Sequence, residues 1–313
     1  MSKMAFLFPG QGSQFVGMGQ NIYTENPLAK AFFDQANDAL DFDLPDLAFN
    51  GPMEKLSQTN YTQPALVAVE IMLLTALMEA GIKPDVVAGL SLGEYTALVA
   101  AGALDALDAV KLVSKRGDIM ASALPVGLTA MAAVLGMESD LLATLCRENS
   151  RQSVVEIANY NCPGQLVIGG HKDAVATVSE LALTQGARRV IPLEVSGAFH
   201  TSLLKDASEK LRVELEKISF NPLEMPVLFN KSADFQTEPL IDLLTAQVYS
   251  PVRFQETIEH MIKIGVDTFI EVGPGKTLSG FIKKVDRKLT VYQVENAADI
   301  KQLQTLLGGE ENE

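Results

Sequence analysis

The run Gly-Leu-Ser-Leu-Gly at residues 89–93 strongly limits the backbone conformations open to this part of the chain. The short apolar segment Asp85–Ala88 before it predicts a buried strand, and Glu94–Ala101 after it predicts a helix. A G-x-S-x-G run between a strand and a helix is typical of a nucleophile turn, in which the serine stands on a sharp bend at the edge of a sheet. The N-terminus of the helix then directs backbone N–H groups toward the serine. We therefore predict that Ser91 is a nucleophile.

Strand-like and helical segments alternate along most of the chain, which favours an α/β body with a mostly parallel sheet. The predicted strands of this body are Met4–Phe8, Val86–Gly89, Val227–Asn230, Thr268–Val272 and Thr290–Val294. Its predicted helices are Pro64–Ala80, Asp105–Ala123, Leu203–Ile218 and Phe254–Ile264.

The middle of the chain follows a different order. Its segments, in order, are a strand, a helix, two strands, a helix and a strand: Ala130–Gly136, Glu138–Asn149, Val154–Asn161, Gln165–Gly170, Lys172–Gly186 and Arg188–Val195. The order βαββαβ is typical of a ferredoxin-like unit. We therefore predict a small domain at residues 126–196, inserted into an α/β body that consists of residues 1–125 and 197–313. We expect the active site between the two.

Composition excludes several classes of protein. The net charge of −14 argues against nucleic acid as a partner, because phosphate binding needs a basic face. An acidic protein partner remains open, and it would need a local basic patch built from Lys115, Arg116, Lys172, Arg188 and Arg189. No uninterrupted apolar run reaches the roughly 18 residues of a bilayer span, and the N-terminus lacks a signal-peptide layout. Two cysteines are too few for a disulfide framework. We expect a cytoplasmic protein without membrane association.

A serine nucleophile needs a base, and the chain has three histidines. His171 follows a strand of the small domain and His260 lies in a polar helix, so we interpret both as surface residues. His200 lies in a loop of small residues near the predicted domain boundary and is the best candidate for the base. The acceptor for its second ring N–H is open at this point: it could be a carboxylate, as in a triad, or a main-chain carbonyl.

Two further signals are too weak to indicate a nucleotide site. The glycine-rich run after the first predicted strand has Phe15 where a dinucleotide fingerprint needs glycine. The run Gly275-Lys276-Thr277 resembles the end of a phosphate loop, but position 270 is isoleucine rather than glycine. The histidines lack H-E-x-x-H spacing, so we predict no catalytic metal.

Several motifs taken together resemble those of the malonyl-CoA:acyl carrier protein transacylases of bacterial fatty-acid synthesis. The resemblance extends from about Met4 to Leu307 and is highly specific because all the motifs occur in one order. They are Phe8–Gln14 (FPGQGSQ), Gly89–Tyr95 (GLSLGEY), Lys115–Gly117, Asn161–Gln165 (NCPGQ), Gly197–His200 (GAFH), Gln247–Val252 (QVYSPV) and Glu271–Lys276 (EVGPGK).

The resemblance implies a role for each site residue. Ser91 matches the acylated nucleophile and His200 matches the base. Gln247 matches the position whose main-chain carbonyl orients that histidine, and the backbone N–H groups of Gln11 and Leu92 match the oxyanion hole. The family fold combines a hydrolase-like α/β body with an inserted ferredoxin-like domain.

The resemblance also implies the substrates. Arg116 matches the arginine that binds the malonyl carboxylate; the alternative is an arginine on a solvated helix face. Malonyl-CoA is the donor, the phosphopantetheine thiol of acyl carrier protein is the acceptor, and no permanently bound cofactor is needed. Phe199, next to the base, is expected to crowd out a methyl-branched malonyl group. The chain has Leu90 where the family commonly has histidine, and Cys162 where serine is frequent, which we interpret as a neutral small residue.

Three alternatives remain at the level of sequence. A serine thioesterase would use Ser91 and His200 in the same way but release free acid. A trans-acting polyketide acyltransferase would share the chemistry and differ in pathway. A non-catalytic binding subunit is disfavoured because it would have no use for a serine, a base and an oxyanion loop. We expect a monomer.

Overall fold

The computed structural model describes residues 3–151, 153–195 and 197–309, so the predicted domain boundary at Ser196 lies outside the described residues. The strands are β1 Lys3–Phe8, β2 Val86–Gly89, β3 Thr129–Leu135, β4 Val155–Cys162, β5 Gln165–His171, β6 Arg189–Leu193, β7 Val227–Leu228, β8 Val266–Val272 and β9 Thr290–Val294. The helices are α1 Gln20–Glu25, α2 Pro27–Asp38, α3 Leu44–Asn50, α4 Met53–Leu56, α5 Thr59–Glu79, α6 Gly93–Ala100, α7 Ala106–Ala121, α8 Ser139–Asn149, α9 Lys172–Thr184, α10 Lys205–Leu215, α11 Leu240–Gln247, α12 Phe254–Lys263, α13 Thr277–Val285 and α14 Ala297–Gly309, with a 3-10 turn at Ser202–Leu204.

The chain divides into two compact units. The first consists of residues 1–117, 219–228 and 261–313, and the second of residues 118–218 and 229–260. The predicted insertion at residues 126–196 lies inside the second unit, and its boundaries stay a prediction.

The first unit is built on a parallel five-stranded sheet in the order β7-β2-β1-β8-β9, as predicted for the α/β body. The central strand β1 is buried from Ala5 to Phe8, which fits an apolar strand covered on both faces. Phe8 pairs with Gly89, and Leu7 pairs with Glu271. The carboxyl ends of β1, β2 and β8 therefore meet at one edge, and the loops that follow them lie side by side there.

Helix α5 is the core helix of this unit. It is long and apolar enough to cross a membrane by length and composition, but most of its residues are buried against α2, α6, α14 and β8. It begins at Thr59, five residues before the predicted start at Pro64. Proline favours the first helical turn because it lacks an N–H, which is why Pro64 suggested a start. The turn before it forms because the Gln58 carbonyl accepts from the N–H groups of Tyr61 and Thr62.

The second unit contains an antiparallel four-stranded sheet in the order β4-β5-β3-β6. Its elements follow the predicted order βαββαβ, with α8 and α9 as the helices. Strand β3, the first of the unit, pairs with β6, the last, and also with β5, the third. This is the arrangement of a ferredoxin-like unit. Helices α8 and α9 cover one face, with Leu142, Leu145 and Val178 in the shared core. Helices α10 and α11 also belong to this unit and pack on each other.

Candidate active site

The Ser91 turn joins β2 to α6 in the first unit, as the sequence predicted. Ser91 adopts a left-handed backbone conformation with φ of 53°, which a non-glycine residue rarely adopts and which is common at functional turns. The flanking glycines are required by space. A Cβ at Gly93 would overlap the Phe8 carbonyl and lie 2.6 Å from the Pro9 carbonyl oxygen, and a Cβ at Gly89 would overlap the backbone of Gly93. The turn therefore packs closely against the carboxyl end of β1, with no space for side chains at these glycines.

The loop after β1 is held beside this turn. A Cβ on Gly10 would lie 2.5 Å from the Leu90 carbonyl oxygen, so only glycine allows this approach. The loop closes on itself because the Ser13 hydroxyl donates to the Gly10 carbonyl at 3.0 Å. The Gln11 side-chain amide donates to the Thr59 hydroxyl at 3.1 Å, which ties the loop to the start of α5. Gln11 and Leu92 thus stand on two adjacent, restrained segments, one at the N-terminus of α6.

Arg116 on α7 is buried, with 1% of its surface exposed, whereas Lys111 and Lys115 on the same helix are exposed. The solvated-face alternative for this arginine is therefore wrong. Its Nη1 donates to Gln63 Oε1 at 2.9 Å, and its Nη2 donates to Ser91 Oγ at 3.3 Å. Because the serine oxygen accepts from the guanidinium, its own O–H is left to donate elsewhere.

The surroundings of Arg116 are tight and shielded from solvent, and the buried Glu94 carboxyl acts on it electrostatically. The guanidinium carbon lies 5.4 Å from the centre of the Tyr95 ring, at cation–π range. Burial raises the pKa of Tyr95 to about 12 and lowers the pKa of Arg116, whose guanidinium nonetheless stays charged near neutral pH. The next residue, Gly117, has no room for a Cβ, which would lie 2.8 Å from Asn60 Cα. Such a dry cation favours an anionic group placed next to Ser91.

His200 is described within the second unit and is also buried and left-handed, with φ of 61°. Its N–H donates to the Val248 carbonyl at 3.1 Å, and its Nδ1 lies 2.9 Å from the Gln247 carbonyl oxygen. A carbonyl only accepts, so Nδ1 is the donor of this hydrogen bond, and in the corresponding neutral tautomer Nε2 is the nitrogen that can accept a proton. Gln247 is the last residue of α11, where the partial negative charge of the helix end favours a positive charge on the ring.

The other histidines are half-buried rather than on the surface. His171 Nδ1 accepts from the Val154 N–H at 2.9 Å, and His260 Nδ1 lies 3.0 Å from the Ala233 carbonyl oxygen. These contacts fix local backbone and leave His200 as the candidate base. Cys162 is fully buried at the end of β4.

Sequence reasoning missed two residues of the first-unit site, Gln63 and Tyr95. A buried glutamine directly before Pro64 in an otherwise apolar helix is the signal that could have identified the first. Tyr95 gave no separate signal, because an aromatic residue in a buried helix is ordinary.

Comparisons with known proteins cover almost the whole chain. The family model described as acyl transferase domain matches residues 5–307. The malonyl CoA-acyl carrier protein transacylase of Bacillus subtilis is 50% identical over 310 residues, 98% of each chain. The crystal structure of the malonyl CoA-acyl carrier protein transacylase from Clostridium perfringens has a TM-score of 0.95 at 43% identity and covers 99% of this chain and 98% of that one. A malonyl-transacylase solved in complex with its type II PKS acyl-carrier protein has a TM-score of 0.94 at 37% identity, with coverage of 97% and 100%.

Proposed function

The chain belongs to the acyl transferase domain family and, within it, to the malonyl CoA-acyl carrier protein transacylases, and from this we propose that it transfers the malonyl group from malonyl-CoA to the phosphopantetheine thiol of acyl carrier protein. The observation that carries the proposal is the buried Arg116 guanidinium, whose Nη2 lies 3.3 Å from Ser91 Oγ. A nucleophile beside a desolvated cation suits an acyl group that ends in a free carboxylate.

In the first half-reaction we assign Ser91 as the nucleophile and His200 as the base. The Ser91 oxygen attacks the thioester carbon while its proton passes to His200 Nε2. The N–H groups of Gln11 and Leu92 bind the oxyanion, and the Gln247 carbonyl keeps the ring oriented through Nδ1. The C–S bond then breaks, and CoA leaves as a thiol with the proton from His200. A malonyl ester on Ser91 remains.

The second half-reaction repeats these steps with a different thiol. His200 accepts the proton of the phosphopantetheine thiol, whose sulfur attacks the malonyl ester carbon. Collapse of the oxyanion breaks the ester C–O bond, and the proton returns to Ser91. One thioester replaces another, so the reaction needs no nucleotide energy and we propose no bound cofactor or metal. Water has to be excluded from the ester while a thiol is admitted.

Arg116 supplies the selectivity for malonate. Its two Nη groups form a fork that suits the two carboxylate oxygens, and Gln63 fixes the plane of the fork. An acetyl group would desolvate the guanidinium without supplying a carboxylate to it, at a cost of about 2–5 kcal/mol.

We propose acyl carrier protein as the macromolecular partner and fatty-acid biosynthesis as the pathway. A polyketide pathway is the second candidate, because one structural relative is bound to a type II PKS acyl-carrier protein. We further propose a monomeric, cytoplasmic enzyme; the two cysteines are buried and not joined, which suits a reducing compartment.

Intact-mass analysis with malonyl-CoA tests the proposal. We expect a malonyl adduct on Ser91 that disappears on addition of holo acyl carrier protein and appears on the carrier. Ser91→Ala is expected to give no adduct, and His200→Ala to form it much more slowly. Release of free malonate in place of malonyl carrier would instead support a thioesterase, and absence of any adduct would refute both.

A further inference from the structure

Helix α5 carries three buried polar side chains on one face. Thr59, Gln63 and Glu70 lie within about 40° of one another around the helix axis, at about 100° per residue. Each is at most 2% exposed. Along a buried and mostly apolar core helix, such a polar row is costly unless every member has a partner.

Each member of the row contacts a different segment of the candidate site. Thr59 accepts from the side chain of Gln11 in the loop after β1, and Gln63 accepts from Arg116 on α7. Glu70 Oε2 accepts from the hydroxyl of Thr96, which lies in the first turns of α6, the helix that begins just after Ser91. The first two contacts support groups already assigned to the chemistry, which suggests that the third does the same for α6.

The packing around Glu70 also connects it to the Ser91 turn. A Cβ built on Gly273, in the loop after β8, would lie 3.2 Å from Glu70 Cγ and 2.6 Å from Pro9 Cγ. Pro9 in turn lies against Gly93, whose Cβ would come within 2.6 Å of the Pro9 carbonyl oxygen. Glu70 is thus the polar side chain at the point where the loops after β1 and β8 meet the base of the Ser91 turn.

The environment of Glu70 favours its uncharged acid form over the carboxylate. Its side chain is fully buried, its Oε2 has one hydroxyl partner, and its Oε1 has no hydrogen-bond partner in the described part of the chain. The charged group that acts on it is Glu271 on β8, itself an acid, while α6 presents Thr96 and the adjacent loops present Pro9 and Gly273. Burial raises the pKa of Glu70 well above its ordinary value of 4.5, and the negative charge of Glu271 acts in the same direction.

Given the proposed function, in which Ser91 is the nucleophile, we propose that Glu70 is a positioning residue: as an uncharged carboxylic acid it fixes α6 through Thr96 and supports the Pro9 loop, and so sets the geometry of the two oxyanion donors. Because those donors act mainly on the transition state, loss of this support is expected to lower kcat rather than raise KM.

Four variants separate this role from general structural damage. Glu70→Gln keeps an oxygen acceptor for Thr96 and is expected to retain kcat within about twofold. Glu70→Ala and Thr96→Val remove the hydrogen bond and are expected to lower kcat about tenfold, the effect of about one hydrogen bond, with KM for malonyl-CoA nearly unchanged. Glu79→Gln, on the exposed end of the same helix, is the control and should match the wild type.

The neutral state predicts a pH dependence of stability. Between the ordinary glutamic acid pKa of 4.5 and the raised pKa of folded Glu70, the folded protein holds one more proton than the unfolded chain. The unfolding constant of the wild type should therefore rise about tenfold per pH unit relative to Glu70→Gln, from about pH 5 upward until the folded pKa is reached. Urea unfolding of both proteins at several pH values measures this difference.

The outcomes are distinct. Failure of the wild type to acylate Ser91 would refute the proposed function and this role with it. Normal acylation by the wild type, together with unchanged kcat in Thr96→Val, would refute only the role of Glu70. Equal impairment of Glu70→Gln and Glu70→Ala, or parallel stability curves for wild type and Glu70→Gln, would show that the neutral acid is not what positions the turn. Thr96→Val decides the matter if Glu70→Ala does not fold.

Discussion

Substitution of Arg116 by alanine is the sharpest test of how the site selects its substrate. The side chain is 1% exposed and donates to Gln63 and Ser91, so its charge is desolvated and held in one orientation. Removal of one partner of a buried, hydrogen-bonded charge pair costs about 2–5 kcal/mol. At 1.36 kcal/mol per tenfold, kcat/KM for malonyl-CoA should fall by about 30- to 5,000-fold.

The rate with acetyl-CoA should change in the opposite sense or not at all. Acetyl-CoA has no carboxylate, so in the wild type its binding further desolvates the guanidinium without supplying a substrate anion, and the alanine variant removes that penalty. The quantity to measure is therefore the ratio of kcat/KM for malonyl-CoA to that for acetyl-CoA, with the same holo acyl carrier protein as acceptor. Arg116→Lys keeps the charge but loses the planar fork, so we expect an intermediate ratio.

Lys115→Ala is the matched control, because Lys115 is the exposed neighbour of Arg116 on α7. We expect its donor ratio to equal that of the wild type. An unchanged ratio in Arg116→Ala, or an equal loss with both donors, would refute the carboxylate assignment. The arginine would then serve only the packing of α7.

Three further expectations concern single substitutions elsewhere in the chain. Gln63→Leu removes the acceptor of Arg116 Nη1, and we expect a loss of malonyl selectivity smaller than that of Arg116→Ala, measured by the same donor ratio. Gly93→Ala should lower the free energy of unfolding by at least about 1–3 kcal/mol because the added Cβ overlaps backbone atoms. Gly280 is a helical site with open space, so Gly280→Ala should be neutral or stabilising by up to about 1 kcal/mol. Urea unfolding of the two variants measures this difference. Phe199→Ala should raise the rate with methylmalonyl-CoA relative to malonyl-CoA, and equal ratios in variant and wild type would contradict the steric role.

The local structure of the site could be predicted from the amino-acid pattern. The glycine spacing around Ser91, with the apolar segments on either side, predicts a strand, a tight turn and a helix, and the structure has β2 and α6 at those positions. The βαββαβ order was also readable, because each segment shows its own periodicity of apolar residues. The short helices at residues 20–56 were not predicted, since segments of four to twelve residues carry little periodic signal.

Which distant residues share an environment could not be predicted from the pattern and depends on how the elements pack. From the sequence, Arg116 could lie on the surface or in the core, and its hydrogen bond to Gln63 joins residues that are 53 positions apart. The hydrogen-bond acceptor for His200 is a backbone carbonyl 47 residues away, and a backbone carbonyl has no side-chain signature in the sequence. The residues alone therefore left both a carbonyl and a carboxylate possible, and only the family resemblance indicated the carbonyl. The physical reason is that sequence patterns report periodicity along one element, whereas desolvation and hydrogen-bond partners depend on which elements pack together.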